Sequence, residues 1–190
     1  MLITSRSPLA TLEGTARIAL DVFTPTESVQ LLEKVVGADR IDGEHRNAIR
    51  VAELGDHLPI AVRVCGARLA TRAHWPLSRL ADRLADPHRV LDELRAGDLD
   101  VRERLMPSYT ALPPELRDVL RRLAGLGPGS FSASTAADLI ELSIMDAADL
   151  LDELAAAHLL RPDPLAPDRY RMPELVFALA IGQDVLCNVG

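Results

Sequence analysis

Side chains able to do chemistry are few and scattered along this chain. The five histidines are His45, His57, His74, His88 and His158, and no two form the His-x-x-x-His pair with which one helix face holds a metal. Asp56 and His57 are the right types for acid–base work. They are adjacent, however, and neighbours on a helix point apart, so no catalytic pair is expected there. Cys65 and Cys187 lie 122 positions apart (187 − 65) and make neither a disulfide framework nor a metal set. Cys65 sits among apolar positions and reads as a small buried hydrophobe. A loop that cradles phosphates needs Gly-x-x-x-x-Gly-Lys-[Ser/Thr]. The sole lysine, Lys34, lies in LLEKVVG with no glycine before it. The chain alone is therefore expected not to be an enzyme. No catalytic residue, no metal and no cofactor of its own is assigned.

Charge narrows the choice of partners. Twenty-eight acidic against 21 basic residues give a net charge of −7, which argues against a nucleic-acid footprint over the whole chain. Asp149, Asp152 and Glu153 read as a solvated face, and His158 as a cation near a helix C-terminus. No charged segment followed by an apolar stretch opens the chain, and no run approaches the ~20 apolar residues of a membrane span. A soluble, cytoplasmic protein with no membrane partner is expected.

The scaffold that must position these residues reads as helical. Hydrophobic residues are 48% and aromatic ones only 3%, so the core is aliphatic, and Ala and Leu favour helix over sheet. Residues 1–4 (MLIT) and 17–22 (RIALDV) read as strands. Thr24-Pro25-Thr26-Glu27 is a capping box with Pro in the first turn, opening a helix that Gly37 ends. Its stripe is Val29, Leu31, Leu32, Val35 and Val36. Further helices are expected over residues 43–54, with Ile49, Ala52 and Leu54 inward, and 59–69, with Ile60, Val64 and Ala67 on one face. A fourth starts at Trp75-Pro76 and stops at Asp86-Pro87. These four make a bundle. Residues 90–94 read as a short turn, and Arg95-Ala96-Gly97-Asp98 as a boundary and hinge.

Beyond the boundary the pattern changes. A helix over residues 101–109 is expected to be interrupted at Pro107, and Pro113-Pro114-Glu115 starts another carrying Leu116, Val119, Leu120 and Leu123. Residues 125–129 read as a loop. Ser132 or Ser134 caps the next helix, and Asp146 opens one ending near His158. Residues 159–172 read as two short strands around a Pro-rich turn, and 174–186 as a closing helix. Three helices followed by a β-hairpin spell a winged helix-turn-helix.

The order of signals, LPIAVRVCGARLATRAHWPLSRLADRL and then LDVRERLMPSYTALPPELRDVLRRLAGL, resembles one known arrangement. It is the second half of the NB-ARC (STAND-class) nucleotide-switch module of SARP-type, AfsR-like bacterial transcriptional regulators. The resemblance runs from about Leu2 to Leu179. It implies a mainly α fold, with an ARC-like four-helix bundle over residues 23–96 and a winged helix over 99–190. Residues 1–22 would be the remnant of a nucleotide-binding α/β domain, either rearranged, paired with another copy, or poorly ordered. It also implies an ADP/ATP site in the intact module. In this sequence Arg6, Leu58, Pro59 and Met172 match positions of that site. Arg6 lies after the sensor strand, Leu58-Pro59 in a Gly-Leu-Pro-Leu turn that packs on adenine, and Met172 opens a Met-His-Asp motif. The chain departs from the pattern twice: His57 stands at the glycine, and Pro173-Glu174 replace His-Asp.

The resemblance thus implies a regulatory, non-enzymatic role that gates an ADP/ATP switch and relays its state. The expected partners are neighbouring domains of the parent regulator or another copy of the chain. The alternative is a free-standing winged-helix DNA-binding regulator. Against it, the helix in the recognition position, DAADLLDELAAA, carries Asp146, Asp149, Asp152 and Glu153 and no Arg or Lys. Four carboxylates would be repelled by a phosphate backbone, so no direct DNA contact is expected from this helix.

Overall fold

The fold was obtained as a computed structural model describing residues 16, 18 and 20–187. The expected strand at residues 1–4, and Arg6 with it, lie outside the described residues. Residues 18 and 20–22 are not in a strand, which corrects the reading of residues 17–22 as one. Ile18 and Leu20 are exposed there, and among the described residues no neighbouring strand takes up their backbone groups. Among the described residues the fold is mainly helical, with eleven helices and two small antiparallel sheets.

The N-terminal half holds α1 (Pro25–Val36), α2 (Ala38–Gly43), α3 (His45–Leu54), α4 (Pro59–Thr71), α5 (Leu77–Leu84) and the short α6 (Val90–Glu93). Thr24 caps α1 as expected: its hydroxyl accepts from the Glu27 N–H at 3.2 Å and its own N–H donates to the Glu27 carboxylate at 2.8 Å. Gly37, at φ +100°, ends α1, and α2 starts directly after it. This helix was not expected; it buries only Ile41. Its Arg40 accounts for its place, because the guanidinium donates to the carbonyls of Leu69 (2.8 Å), Arg72 (3.4 Å) and Trp75. Leu69 lies in the last turn of α4 and Arg72 is its C-cap, where a cation is favoured, and Trp75 lies in the turn that leads to α5.

Helix α4 is the centre of this half. Ala61, Val62, Val64, Cys65 and Leu69 are buried, while Ile60 and Ala67, expected inward, are half-buried. A helix packed on several sides buries most of its circumference and shows no single face. Gly66 allows α1 to approach closely, since a Cβ there would lie 3.0 Å from the Val35 side chain. In α3 the buried residues are Ala48, Val51 and Ala52. In α5, Leu77, Leu80, Ala81 and Leu84 are all buried, as the spacing predicts.

The segment read as a hinge forms a miniature hairpin, β1 (Arg95–Ala96) with β2 (Leu99–Asp100), turning at Gly97 with φ +59°. It lies against α4, and Arg68 donates to the Arg95 carbonyl at 3.3 Å. Helix α7 (Val101–Thr110), capped by Asp100, runs through Pro107 without the expected interruption. The carbonyl that Pro107 leaves unpaired belongs to Glu103; both residues are exposed, so water can serve it. Then come α8 (Pro114–Ala124), β3 (Gly129–Ser132), α9 (Ala133–Ile140), α10 (Ile144–Ala156), β4 (Arg161–Asp163), β5 (Ala166–Met172) and α11 (Glu174–Cys187). Ser132 and Ser143 cap α9 and α10, accepting from Thr135 N–H and Asp146 N–H, each at 3.1 Å. The strands expected around the Pro-rich turn are β4 and β5. The third strand, β3, was read as part of a loop and cap; it pairs with β5 so that the sheet order is β3-β5-β4. One apolar cluster runs through both halves. Helix α11 connects them, packing on α8 and α7 and also on α6.

Candidate functional site

The turn that leads into Leu58-Pro59 and the segment that follows Met172, the two stretches that depart from the family pattern, meet at one place in the fold. The meeting is made by the turn between α3 and α4. Here Asp56 and His57 both adopt left-handed backbone, at φ +53° and +54°. Such backbone is uncommon for any residue but glycine, and Asp and His are among the types that tolerate it best. Position 57, where the resemblance has glycine, thus does require a positive φ. The turn is closed by Asp56 N–H to the Glu53 carbonyl (2.8 Å), His57 N–H to Ala52 (2.9 Å) and Leu58 N–H to Gly55 (3.0 Å). The His57 carbonyl accepts from Phe23 N–H at 3.0 Å, and its ring Nδ1 lies 3.0 Å from the hydroxyl of the fully buried Ser28. These two residues are in a turn and not on a helix, which corrects the geometry expected for them. They still face different ways.

The Asp56 side chain points across to the C-terminal half. Its Oδ1 accepts from the Glu174 N–H at 3.0 Å and its Oδ2 from the Leu175 N–H at 2.7 Å. Those N–H groups begin α11 and have no partner inside that helix. The residue before them is Pro173, which has neither a hydroxyl nor a carboxylate to serve as a cap. Asp56, 118 positions away from Glu174, supplies the missing cap.

Burial dominates the electrostatics here. It pushes the Asp56 carboxyl above its ordinary value, against the pull of the Leu175 and Glu174 N–H groups and the charges of Arg161 and Arg171. Glu174 is also raised, first by burial and then by the Asp56 charge, with Arg171 opposing. The two arginines are cross-strand partners in β4 and β5, with Ser130 beside Arg171 on β3.

Of the residues that the resemblance assigns to the nucleotide, Leu58 is the N-cap of α4 and Pro59 its first residue; both are half-buried. Met172 is fully buried in the apolar cluster. Beside the junction is a cavity of about 200 Å³ lined by Leu54, Leu84, Val90, Pro128, Glu174 and Phe177. A larger hollow of about 380 Å³ is edged by α5 and α6; of its charged side chains Arg83 pairs with Glu93, Asp82 pairs with Arg50 outside it, and Arg79 lies over the Trp75 ring. Cys65 is fully buried, and burial pushes its thiol up to about 12, so it is unreactive. Among the described residues no group of three or more His, Cys, Asp or Glu is placed to hold a metal. No helix there is long and apolar enough to cross a membrane.

Sequence reasoning missed Asp56 as a junction residue. A signal was present in the proline before Glu174, because a helix start with no cap of its own needs an acceptor from elsewhere.

No protein-family model matches the chain. It is 40% identical over 176 residues to the "Regulatory protein AfsR" of Streptomyces griseus, covering 92% of this chain and 18% of the relative. It is 39% identical over 176 residues to the "Regulatory protein AfsR" of Streptomyces coelicolor, covering 92% of this chain and 17% of that relative. The chain therefore spans less than a fifth of the length of the relatives it matches.

Proposed function

We propose that this chain is a regulatory, non-enzymatic segment of an AfsR-type cytoplasmic transcriptional regulator. In this reading α1–α6 are an ARC-like bundle and α8–α11 with the β3-β5-β4 sheet a winged helix. The two together gate an ADP/ATP switch and relay its state to neighbouring domains. Two findings support the reading: the similarity to regulatory proteins along most of the chain, and the element order α8-β3-α9-α10-β4-β5. The observation that carries it is the junction itself. The turn before Leu58-Pro59 and the helix start that follows Met172, next to the implied nucleotide contacts, are bound to each other by Asp56.

Direct DNA binding is the weaker reading. Asp146, Asp149, Asp152 and Glu153 are all exposed along α10. They would meet phosphates with like charge, and a gel shift on promoter DNA is expected to show no complex.

With no glycine-rich loop and lysine, this chain alone is expected to bind ADP with a dissociation constant no tighter than about 100 μM, roughly 5–6 kcal/mol. Titration calorimetry with magnesium checks this, and submicromolar binding would overturn it. The regulatory role is tested by grafting the chain in place of the matching segment of the Streptomyces coelicolor relative and reading a reporter gene. Retained, signal-dependent transcription is expected. A folded graft with constant output, on or off, counts against the role.

A further inference from the structure

We propose that Asp56 is a releasable latch, an internal anion that occupies the start of α11 and holds the two halves of the chain together without any ligand. The inference deepens the regulatory reading above, on which its biological meaning rests, by naming what holds the junction closed.

The geometry makes the bond specific. Both Asp56 oxygens are used, one on each of two successive N–H groups, and no residue near in sequence could supply them. The helix start has no cap of its own, because Pro173 precedes it. The carboxylate lies buried, with no ion pair within 4 Å among the described residues. It is presented by two consecutive non-glycine residues in left-handed backbone, an arrangement that persists only when its surroundings hold it. Such a contact differs from ordinary packing in being all or none. Once α11 moves by a few ångströms, both hydrogen bonds are lost together, and the carboxylate regains water. The contact is also exclusive, since the same N–H groups cannot serve two anions. A phosphate directed at the start of α11 must first displace Asp56.

The test is hydrogen exchange on the full chain, resolved at the Glu174 and Leu175 amides. Asp56→Gly removes both oxygens while suiting the positive φ, so the turn itself should survive. Exchange at both amides is expected to quicken by about tenfold or more, with interior amides of α4 and α8 unchanged. Asp56→Asn keeps one oxygen and is expected to speed exchange at one of the two amides. Unchanged protection in both variants overturns the latch. So does uniform loosening of α3 and α4, which would make Asp56 only a brace for its own turn. Adding ADP with magnesium to the wild-type chain is expected to add no protection at these amides. Added protection would show that nucleotide closes the junction, contradicting a ligand-free latch while favouring the switch reading. A confirmed latch alongside a failed graft would do the reverse.

Discussion

Glu44 and Asp56 each reach from a turn to the first N–H groups of a distant helix, in different surroundings. Glu44 accepts from Leu77 N–H (2.9 Å) and Ser78 N–H (3.2 Å), capping α5 within the N-terminal half. Asp56 caps α11 across the junction between halves. Burial pushes both carboxyls up. For Glu44 it is outweighed by the Leu77 and Ser78 N–H groups, Asn47 and the Arg40 charge, so its carboxyl is lowered. Asp56 is nearly shut off from solvent, has no ion pair within 4 Å among the described residues, and stays raised. The same device thus locks in one place and is poised in the other. Glu93 shows the locked extreme: burial raises it, but Arg83 and Arg68 bind it directly and leave it lowered.

Three perturbations sharpen the contrast. The largest effect is expected from Glu93→Ala, which strands the mostly buried Arg68 guanidinium. Breaking a buried ion pair from one side costs about 3 kcal/mol or more, seen as a large fall in the melting temperature. Glu44→Ala should cost less, about 1 kcal/mol, the usual loss for a helix cap. Asp56→Gly should cost least in global stability, about 0.5 kcal/mol or under. The lost hydrogen bonds are offset by relief of the left-handed backbone, roughly 1 kcal/mol for a residue with a Cβ, and of carboxylate burial. Chemical denaturation of the three variants gives the order. A loss of several kcal/mol at Asp56 would show that the junction is locked as firmly as the bundle.

Acid should separate the two regions further. Asp56 and Glu174 have folded values raised above their ordinary 3.8 and 4.5, so their stabilising contribution is present below those values and lost as pH rises through the raised ones. For Glu44 and Glu93, lowered from 4.5, the contribution is present above 4.5 and lost as pH falls through the depressed values. The wild-type chain should therefore gain stability relative to Asp56→Gly as pH falls from 7 toward 4. Relative to Glu44→Ala it should lose stability as pH falls below 4.5. The charges of Arg161 and Arg171 act on the Asp56 carboxyl, and that of Arg171 on Glu174. Melting curves across this range, with the opposite slope for either variant, would break the contrast.

Much of the scaffold was legible because it is written locally. The Thr24 box, the Trp75-Pro76 start, the stripe of Leu77, Leu80 and Leu84, and the strands around the Pro-rich turn each need only a few neighbouring residues. What was missed depends on distant partners. Helix α2 buries one apolar residue and is anchored by Arg40 on α4, so no stripe announces it. Strand β3, Gly129–Ser132, has one buried apolar residue, Phe131, and is a strand because β5 pairs with it. Helix α7 passes through Pro107 because the freed carbonyl is exposed, which periodicity does not reveal. The candidate site was half legible. The Leu58-Pro59 turn and the segment from Met172 were visible, but their union through Asp56 joins residues 118 positions apart.

The most direct test compares the two capped helix starts in the unaltered chain. Native-state hydrogen exchange at low denaturant reads the opening of Leu77 and Ser78 beside that of Glu174 and Leu175. Glu174 and Leu175 are expected to open in a local step, at a free energy below that of global unfolding, while Leu77 and Ser78 exchange only when the N-terminal half unfolds. If the two pairs open together at the same free energy, the junction is no more releasable than the bundle, and the account is contradicted.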